Sequence, residues 1–228
     1  DEELAQLRPA LASPGCITLV GAGGIGKTSL ARVLAAGVEG GAVWVDLAAL
    51  SDGAQLGAAA ARAMGAGSGE DASTVPGLLR ALCGRLLVLD NAEHVIDAVA
   101  ALVAQLFTAD RTLRVMATSQ APLAVAGERV FRVEPLALPH DDDPLDLHCG
   151  AVALFVERAR AADQRFRPGP EQLPLLRQIC RRLDGLPLAL EMAAARVNVL
   201  GLVGLARALE RPLSLLNAGR RDGAARHR

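Results

Sequence analysis

The sequence contains few aromatic side chains and no excess of positive charge, two features common in nucleic-acid-binding surfaces. Of its 228 residues four are Phe, one is Trp and none is Tyr, so a stacking platform for single-stranded bases is not expected. Its 24 Lys and Arg residues are balanced by 25 Asp and Glu residues, which leaves a net charge of −1. A balanced surface provides no positive field to attract phosphate backbones. We therefore expect no direct contact between these residues and nucleic acid.

Cysteine is scarce and long apolar runs are absent. The four cysteines lie far apart with no CxxC pair, a pattern that argues against a disulfide framework, and we interpret them as reduced, buried thiols of a cytoplasmic protein. No apolar run approaches the roughly 18 residues that a membrane helix needs, so we expect no membrane span. Because the chain begins at Asp1 rather than at Met, we expect it to be part of a longer protein.

Lysine is the rarest charged residue of the chain. Arginine occurs 23 times, whereas Lys27 is the sole lysine. A composition that replaces lysine with arginine at every other position indicates that Lys27 lies where a compact ammonium group is needed, because a planar guanidinium would not fit.

Apolar runs and helical periodicity alternate along the first part of the chain. The predicted strands are 16–20, 42–47, 85–90, 112–118 and 130–133. The predicted helices between them are 28–36, 53–64, 74–83 and 93–107. This alternation indicates an α/β domain with a parallel sheet that is covered on both faces.

Beyond about residue 140 the sequence shows only helical patterns, which we place at 151–164, 171–183, 187–198 and 202–210. We therefore divide the chain into an α/β domain at 1–139, a helical subdomain at 140–216 and a flexible tail at 217–228. The three adjacent acidic residues Asp141–Asp143 are interpreted as part of a solvated linker, since three neighbouring carboxylates cannot all point at one metal ion.

A glycine-rich segment that matches a known sequence pattern follows the first predicted strand. Residues 21–28, GAGGIGKT, match the pattern GxxxxGK[ST], in which backbone N–H groups surround phosphates, a lysine reaches the β- and γ-phosphates and a hydroxyl binds Mg²⁺. The helix that begins here adds its N-terminal dipole. The expected nucleotide-binding residues of this segment are Gly21, Gly23, Gly24, Ile25, Gly26, Lys27, Thr28 and Ser29.

An acidic residue ends the third predicted strand. The run LLVLD at 86–90 carries Asp90 to the carboxyl edge of the sheet, where it can hold the shell of the same Mg²⁺ ion as Thr28. Asn91 follows, and its amide can orient a water molecule but cannot act as a general base. Glu93 is a possible substitute, although a solvated acid in the first turn of a helix is the simpler interpretation. Slow hydrolysis is therefore expected, with Asp90 and Asn91 as the catalytic candidates.

The fourth strand ends in the polar residues Thr118, Ser119 and Gln120. In a parallel sheet this end lies beside the phosphate loop, so one of these side chains could hydrogen-bond the γ-phosphate. An ordinary cap at the end of the strand is the alternative that the sequence leaves open.

Five segments in this order resemble the signal-transduction ATPases called STAND proteins, whose nucleotide module is of the NB-ARC type. The segments are GAGGIGKTSL, LLVLDNAEHV, LRVMATSQAPL, GERVFRVEPLALP and CRRLDGLPLALEMAAARV. The sequences of these segments are most similar to those of bacterial transcriptional regulators. Both the SARP type, which controls secondary metabolism, and the LuxR type, which has a large ATPase part, share them. The resemblance covers nearly the whole chain.

The resemblance implies a P-loop NTPase with a five-stranded parallel sheet in the ASCE order 5-1-4-3-2, followed by a small all-helical subdomain. It implies a switch that ADP closes and ATP opens, with possible self-association in the ATP form and with Pro187 packed on the adenine. Further parts of the regulator would include a winged helix, a DNA-binding domain and sensor repeats. Gln120 stands where the family usually has an arginine that senses the γ-phosphate, and an amide cannot offer the same bidentate fork.

Two other classes of function remain open from the sequence. A P-loop kinase or fast ATPase would need arginines that close over the phosphates. Arg181 with Arg182 is a compact candidate pair, although on a helix a solvated face is the simpler interpretation. An interaction scaffold with an inactive site would explain Asn91 and Gln120 but not the retention of Lys27.

Overall fold

The computed structural model describes residues 2–66, 70–139 and 149–210, apart from the side chains of residues 2, 3 and 70. The contacts of the chain divide it into two compact units, Asp1–Glu134 and Pro135–Arg228. The sequence placed this boundary after residue 139. The boundary after Glu134 agrees with the packing of Leu136 and Leu138 against the core of the second unit. The predicted linker around Asp141–Asp143 and the predicted tail at 217–228 lie outside the described residues.

The first unit contains a sheet of five parallel strands. They are β1 (Gly15–Val20), β2 (Ala42–Asp46), β3 (Leu86–Asp90), β4 (Arg114–Ser119) and β5 (Glu128–Arg132). The strand order is β5-β1-β4-β3-β2, with every neighbouring pair parallel. This confirms the predicted order and places β4 between β1, which leads into the glycine-rich loop, and β3, which ends in Asp90. The central strands β1, β3 and β4 are almost fully buried, as expected for a parallel sheet covered on both faces.

Helices cover both faces of this sheet. They are α1 (Glu2–Ala12), α2 (Lys27–Ala36), α3 (Leu56–Met64), α4 (Val75–Leu82) and α5 (Ile96–Ala109), with short 3₁₀ turns at Gly53–Gln55, Glu70–Ser73 and Ala92–His94. Helices α1 and α2 pack together, and α3, α4 and α5 form a second group. The apolar side chains of the second group bury alternate residues of the strands, including Leu87, Leu89 and Val115, which holds the strand ends in a fixed register.

Helix α1 was not predicted from the sequence. Its buried residues Leu7 and Leu11 are four positions apart and mark one face of a helix. The helix was missed because its apolar pattern is short and because it contains Pro9. A proline in the interior of a segment normally argues against a helix there.

The second unit consists of helices in its described part. They are α6 (Gly150–Ala162), α7 (Leu173–Arg182), α8 (Pro187–Ala194) and α9 (Val197–Leu209), so the predicted helix 187–198 ends earlier and α9 begins sooner than expected. Gly201 has a φ of 64° and kinks α9. Within the described residues no single helix is long and apolar enough to cross a membrane, and α8 with α9 passes that test only as a pair bent by 118°.

A glycine fixes the turn between α7 and α8. Gly185 has a φ of 64°, a conformation that favours glycine, and an added Cβ would collide with the carbonyl oxygen of Leu136. The Gly185 carbonyl also accepts a hydrogen bond of 3.0 Å from the Leu136 amide. The close backbone approach explains the glycine in GLPLAL, and Pro187 follows as the first residue of α8, a position that suits proline.

The cysteines divide into two groups by exposure. Cys16, Cys149 and Cys180 are buried as expected, whereas Cys83 is exposed. The prediction for Cys83 was wrong: this residue follows α4 as its C-cap, with a φ of 49°, and its side chain is exposed. Burial raises the pKa of the Cys16 thiol and that of the Cys180 thiol to about 12.

We expect an alkylating reagent at pH 8 to modify Cys83 well before Cys16 or Cys180. The thiolate is the reactive species, and a pKa of about 12 leaves a thiolate fraction on the order of one in ten thousand at pH 8. The raised folded-state pKa also means that the native state loses stability as the pH rises from about 9 towards about 12, where only the unfolded thiols ionise. Peptide mass spectrometry over time measures the labelling, and equal rates for Cys16 and Cys83 would contradict the burial.

Candidate phosphate-binding site

The glycine-rich loop joins β1 to α2 at the carboxyl edge of the sheet. Gly24 and Gly26 have φ values of 77° and 99°, which side chains other than glycine rarely adopt. A Cβ added to Gly21 would lie 2.9 Å from the Ile25 side chain. These three glycines let the backbone curl tightly above buried Ile25, while Gly23 faces open space where a ligand can approach its backbone.

The ammonium group of Lys27 lies within this loop. Lys27 is the first residue of α2 and only 8% exposed. Its Nζ atom donates hydrogen bonds of 2.8 Å and 3.0 Å to the carbonyl oxygens of Gly21 and Ala22. The first helical bond runs from the Leu30 amide to the Gly26 carbonyl, so the amides at the start of α2 are available to an anion. The loop thus combines a buried positive charge with the positive end of a helix.

The carboxylate of Asp90 lies beside the start of α2. Asp90 is 2% exposed at the end of β3. Its Oδ1 atom accepts hydrogen bonds from the Thr28 hydroxyl at 2.9 Å and from the Thr118 hydroxyl at 2.6 Å. Thr28 and Asp90 are 62 residues apart in sequence, and the order of strands brings them together as the sequence motifs predicted.

Thr118 holds Asp90 in a way that the sequence did not reveal. Its buried hydroxyl donates to Asp90 and accepts a hydrogen bond of 2.9 Å from the Asn91 amide. The Thr118 hydroxyl therefore donates its hydrogen to Asp90 and not to a phosphate. The signal was the position of Thr118 at the end of β4, next to β3, but the partner depends on the register between two strands.

Replacing Thr118 with valine should lower the free energy of unfolding by about 1–3 kcal/mol. Valine keeps the shape of the side chain but leaves the half-buried Asn91 amide without its acceptor and removes one donor from Asp90. Thr118→Ser keeps the hydroxyl and is the matched control. Urea denaturation measures the difference, and a valine variant as stable as the unaltered chain would show that these hydrogen bonds contribute nothing.

Asn91 connects two strand ends. It adopts a left-handed conformation with a φ of 63°, which asparagine tolerates well. Its Nδ2 atom donates to the Asp46 carboxylate at the end of β2, at 3.2 Å, and to Asp90 Oδ2 at 3.4 Å. Its side chain therefore contacts carboxylates on both sides, and the contact with Asp46 was not predicted from the sequence.

The residues after β4 and β3 meet at the same edge. The exposed Gln120 side chain donates from Nε2 to Glu93 Oε1 at 3.4 Å. The other oxygen, Glu93 Oε2, is buried and has no hydrogen-bond partner among the described residues. The interpretation of Glu93 as a solvated acid was therefore wrong for this oxygen. The Ser119 hydroxyl accepts a hydrogen bond from the Ala121 amide at 3.2 Å, as a strand-end cap does.

The oxygen atoms of this edge fit a magnesium ion. Mg²⁺ prefers oxygen ligands and usually combines one or two protein side chains with phosphate oxygens and water. The Thr28 hydroxyl and the Asp90 carboxylate lie 2.9 Å apart beside a loop suited to phosphate. Among the described residues no group of three or more His, Cys, Asp or Glu side chains could hold a metal ion.

The first unit contains all but one of the predicted site residues. Ile25 is buried beneath the loop and Ser29 is exposed on the first turn of α2. Pro187 lies in the second unit, at the start of α8.

Comparison with known proteins agrees with this geometry at the level of the fold. The structure is similar to those of Cdc6p from Pyrobaculum aerophilum, with a TM-score of 0.54 and 15% identity, and of PCH-2 from C. elegans, with a TM-score of 0.51 and 16% identity. Each alignment covers about nine tenths of this chain, 91% and 89%, and 62% of the other chain. The fold is that of a P-loop ATPase. A STAND protein with a tetratricopeptide repeat sensor from Pyrococcus horikoshii aligns with a TM-score of 0.48 and 19% identity, over 84% of this chain and 28% of that chain.

Sequence relatives come from mycobacteria. The chain is 38% identical over 224 residues to a protein of Mycobacterium tuberculosis whose name places it among HTH-type transcriptional regulators, and it is 33% identical over 230 residues to an uncharacterised protein of the same species. These alignments cover 96% and 98% of this chain but 24% and 56% of the relatives. The chain therefore spans about a quarter and about half of their lengths. No protein-family model matches the chain.

Proposed function

We propose that this chain binds ATP and ADP with Mg²⁺ and acts as a slowly hydrolysing regulatory switch. The single observation that supports this most is the meeting of three motif residues at one sheet edge. Lys27 points its ammonium group into the glycine loop, while Thr28 and Asp90 lie in hydrogen-bond contact beside it. A positive charge for phosphate and two oxygens for a divalent ion are the two requirements of a magnesium–nucleotide complex.

Each residue has a defined task in this proposal. Lys27 would exchange its two carbonyl partners for the β- and γ-phosphates, while the loop amides and the N-terminus of α2 bind phosphate oxygens. Thr28 and Asp90 would hold Mg²⁺, which supplies charge neutralisation to the phosphates. Ile25 and Ser29 would belong to the segment around the phosphates, Gln120 would lie near the γ-phosphate, and Pro187 would contact the adenine, the last by resemblance to the GLPL motif of STAND proteins.

The side chain after Asp90 favours slow turnover. The Asn91 amide cannot accept a proton from water, and it donates instead to Asp46 and Asp90. We expect steady-state hydrolysis of ATP with Mg²⁺ to stay below about 1 s⁻¹, a low value for an enzyme. A phosphate-release assay measures this rate, and a turnover well above it would favour the alternative of a fast ATPase.

A kinase remains the second candidate, and the structure supplies an argument against it. The Arg181 guanidinium donates to the carbonyl oxygen of Pro139 at 2.8 Å, and Arg182 contacts Glu210 at 3.5 Å. Both arginines therefore have partners within the second unit. Transfer of phosphate to any member of a small-molecule panel would support the kinase alternative.

The role of the whole protein extends the proposal beyond this chain. Its mycobacterial relatives are longer, and one is named as an HTH-type transcriptional regulator. We propose that the chain is the nucleotide module of a cytoplasmic regulator of that kind, either SARP-type or LuxR-type. Nucleotide state would control its contacts with a winged helix, a DNA-binding domain and sensor repeats, and its self-association with ATP.

A further inference from the structure

The Glu93 carboxylate is the unexplained acid of the phosphate edge. It belongs to the 3₁₀ turn Ala92–His94 that directly follows β3 and Asn91. Its Oε2 atom is buried without a hydrogen-bond partner, and its Oε1 atom accepts from Gln120 Nε2 at 3.4 Å. A buried carboxylate oxygen without a donor costs free energy, so a purely structural role leaves this oxygen without an explanation.

The register of the strands places this pair beside the phosphate loop. Val20 of β1 pairs with Ser119 of β4, and the Gly21 amide donates to the Ser119 carbonyl at 3.3 Å. Gln120 is thus the next residue after the point where β4 adjoins the loop. On the other side of β4, the Asn91 amide bonds to Thr118. Gln120 therefore lies at a strand end between the phosphate loop and the turn that carries Glu93.

The contact between the two side chains is a weak restraint. A distance of 3.4 Å exceeds the usual 2.7–3.2 Å of an N–H···O hydrogen bond. Gln120 is exposed and can rotate, whereas Glu93 Oε2 has no contact with solvent in this arrangement. Oε2 must turn outward before it can meet a water molecule, and Oε1 is engaged by Gln120, so release by Gln120 would free the carboxylate.

We propose that Glu93 is the proton acceptor for ATP hydrolysis and that Gln120 is a positioning residue that restrains it. This inference rests on the proposed nucleotide-binding function. The oxygen of water bonds to the γ-phosphorus, and the bond between that phosphorus and the β–γ bridging oxygen breaks with its electron pair left on ADP. The proton of the water passes to the Glu93 carboxylate, which later returns it to solvent. Asn91 cannot perform this task, because an amide is not a base.

Single-turnover hydrolysis of ATP with Mg²⁺ by four variants tests the pair. Glu93→Gln should reduce the rate at least about tenfold, within the range general bases contribute, while ADP affinity stays unchanged. Gln120→Ala should raise the rate severalfold through release of the carboxylate. The double variant should be as slow as Glu93→Gln, because a released glutamine still accepts no proton. Asp97→Asn, which neutralises an exposed acid in the first turn of α5, is the matched control and should hydrolyse at the unaltered rate.

The outcomes separate the inference from the function on which it rests. Unchanged hydrolysis by Glu93→Gln overturns the inference, and so does a rate in Gln120→Ala that falls or stays the same. Binding without any hydrolysis by the unaltered chain also overturns it, while nucleotide binding stands. Failure of the unaltered chain to bind ATP or ADP would instead refute the proposed function itself.

Discussion

Replacing Lys27 with alanine should weaken the binding of ADP and ATP about ten- to hundred-fold. The ammonium group is the one lysine charge of the chain and lies within the glycine loop. Hydrogen bonds between a charged group and an acceptor contribute roughly 1.5–3 kcal/mol, and each 1.4 kcal/mol corresponds to about a tenfold change in affinity. Isothermal titration of the variant and of the unaltered chain measures the loss.

Two further variants keep this prediction specific. Lys27→Arg retains the positive charge but replaces a compact ammonium with a planar guanidinium, so it should also bind weakly if the loop needs the smaller group. Arg80→Ala removes an exposed positive charge at the end of α4 and should leave the affinity unchanged. The thermal midpoint of each variant shows whether it is folded. Unchanged affinity in folded Lys27→Ala would refute the assignment of the phosphate site.

Replacing Asp90 with alanine should weaken nucleotide binding about tenfold or more, but only when Mg²⁺ is present. In the proposal the carboxylate acts through the ion, so its loss should matter little to nucleotide binding once the ion is removed. A titration in the presence of Mg²⁺ and a second one with EDTA separate the two contributions.

The controls for Asp90 follow the same logic. Asp97→Asn neutralises an exposed acid on α5 and should behave like the unaltered chain in both titrations. If Asp90→Ala lost equal affinity with Mg²⁺ and with EDTA, the aspartate would act on the fold of the loop rather than on the metal ion.

The sequence predicted those parts of the site that depend on local spacing. The glycines, Lys27 and Thr28 lie within one short segment, and Asp90 ends an apolar strand, so each could be assigned from its neighbours. The order of the strands followed from the resemblance to STAND proteins, and the structure confirms it. With that order known, the contact between Thr28 and Asp90 is a consequence of the topology.

The contacts that were missed depend on register and on side-chain direction. Thr118 holds Asp90 across 28 residues of sequence, and Asn91 reaches Asp46 across 45 residues. No local pattern specifies which polar side chain of one strand end faces which of the next. Glu93 is a further example. Its position in the first turn of a helix predicts an exposed side chain, whereas the packing around that turn buries one of its oxygens.

Isothermal titration of this chain with ADP and with a non-hydrolysable ATP analogue, both with Mg²⁺, tests the central claim most directly. The account predicts saturable binding of one nucleotide per chain, tighter for ADP than for the analogue, and loss of that binding in Lys27→Ala. Absence of binding for both nucleotides by the folded chain would contradict the claim that the loop, Thr28 and Asp90 form a nucleotide site.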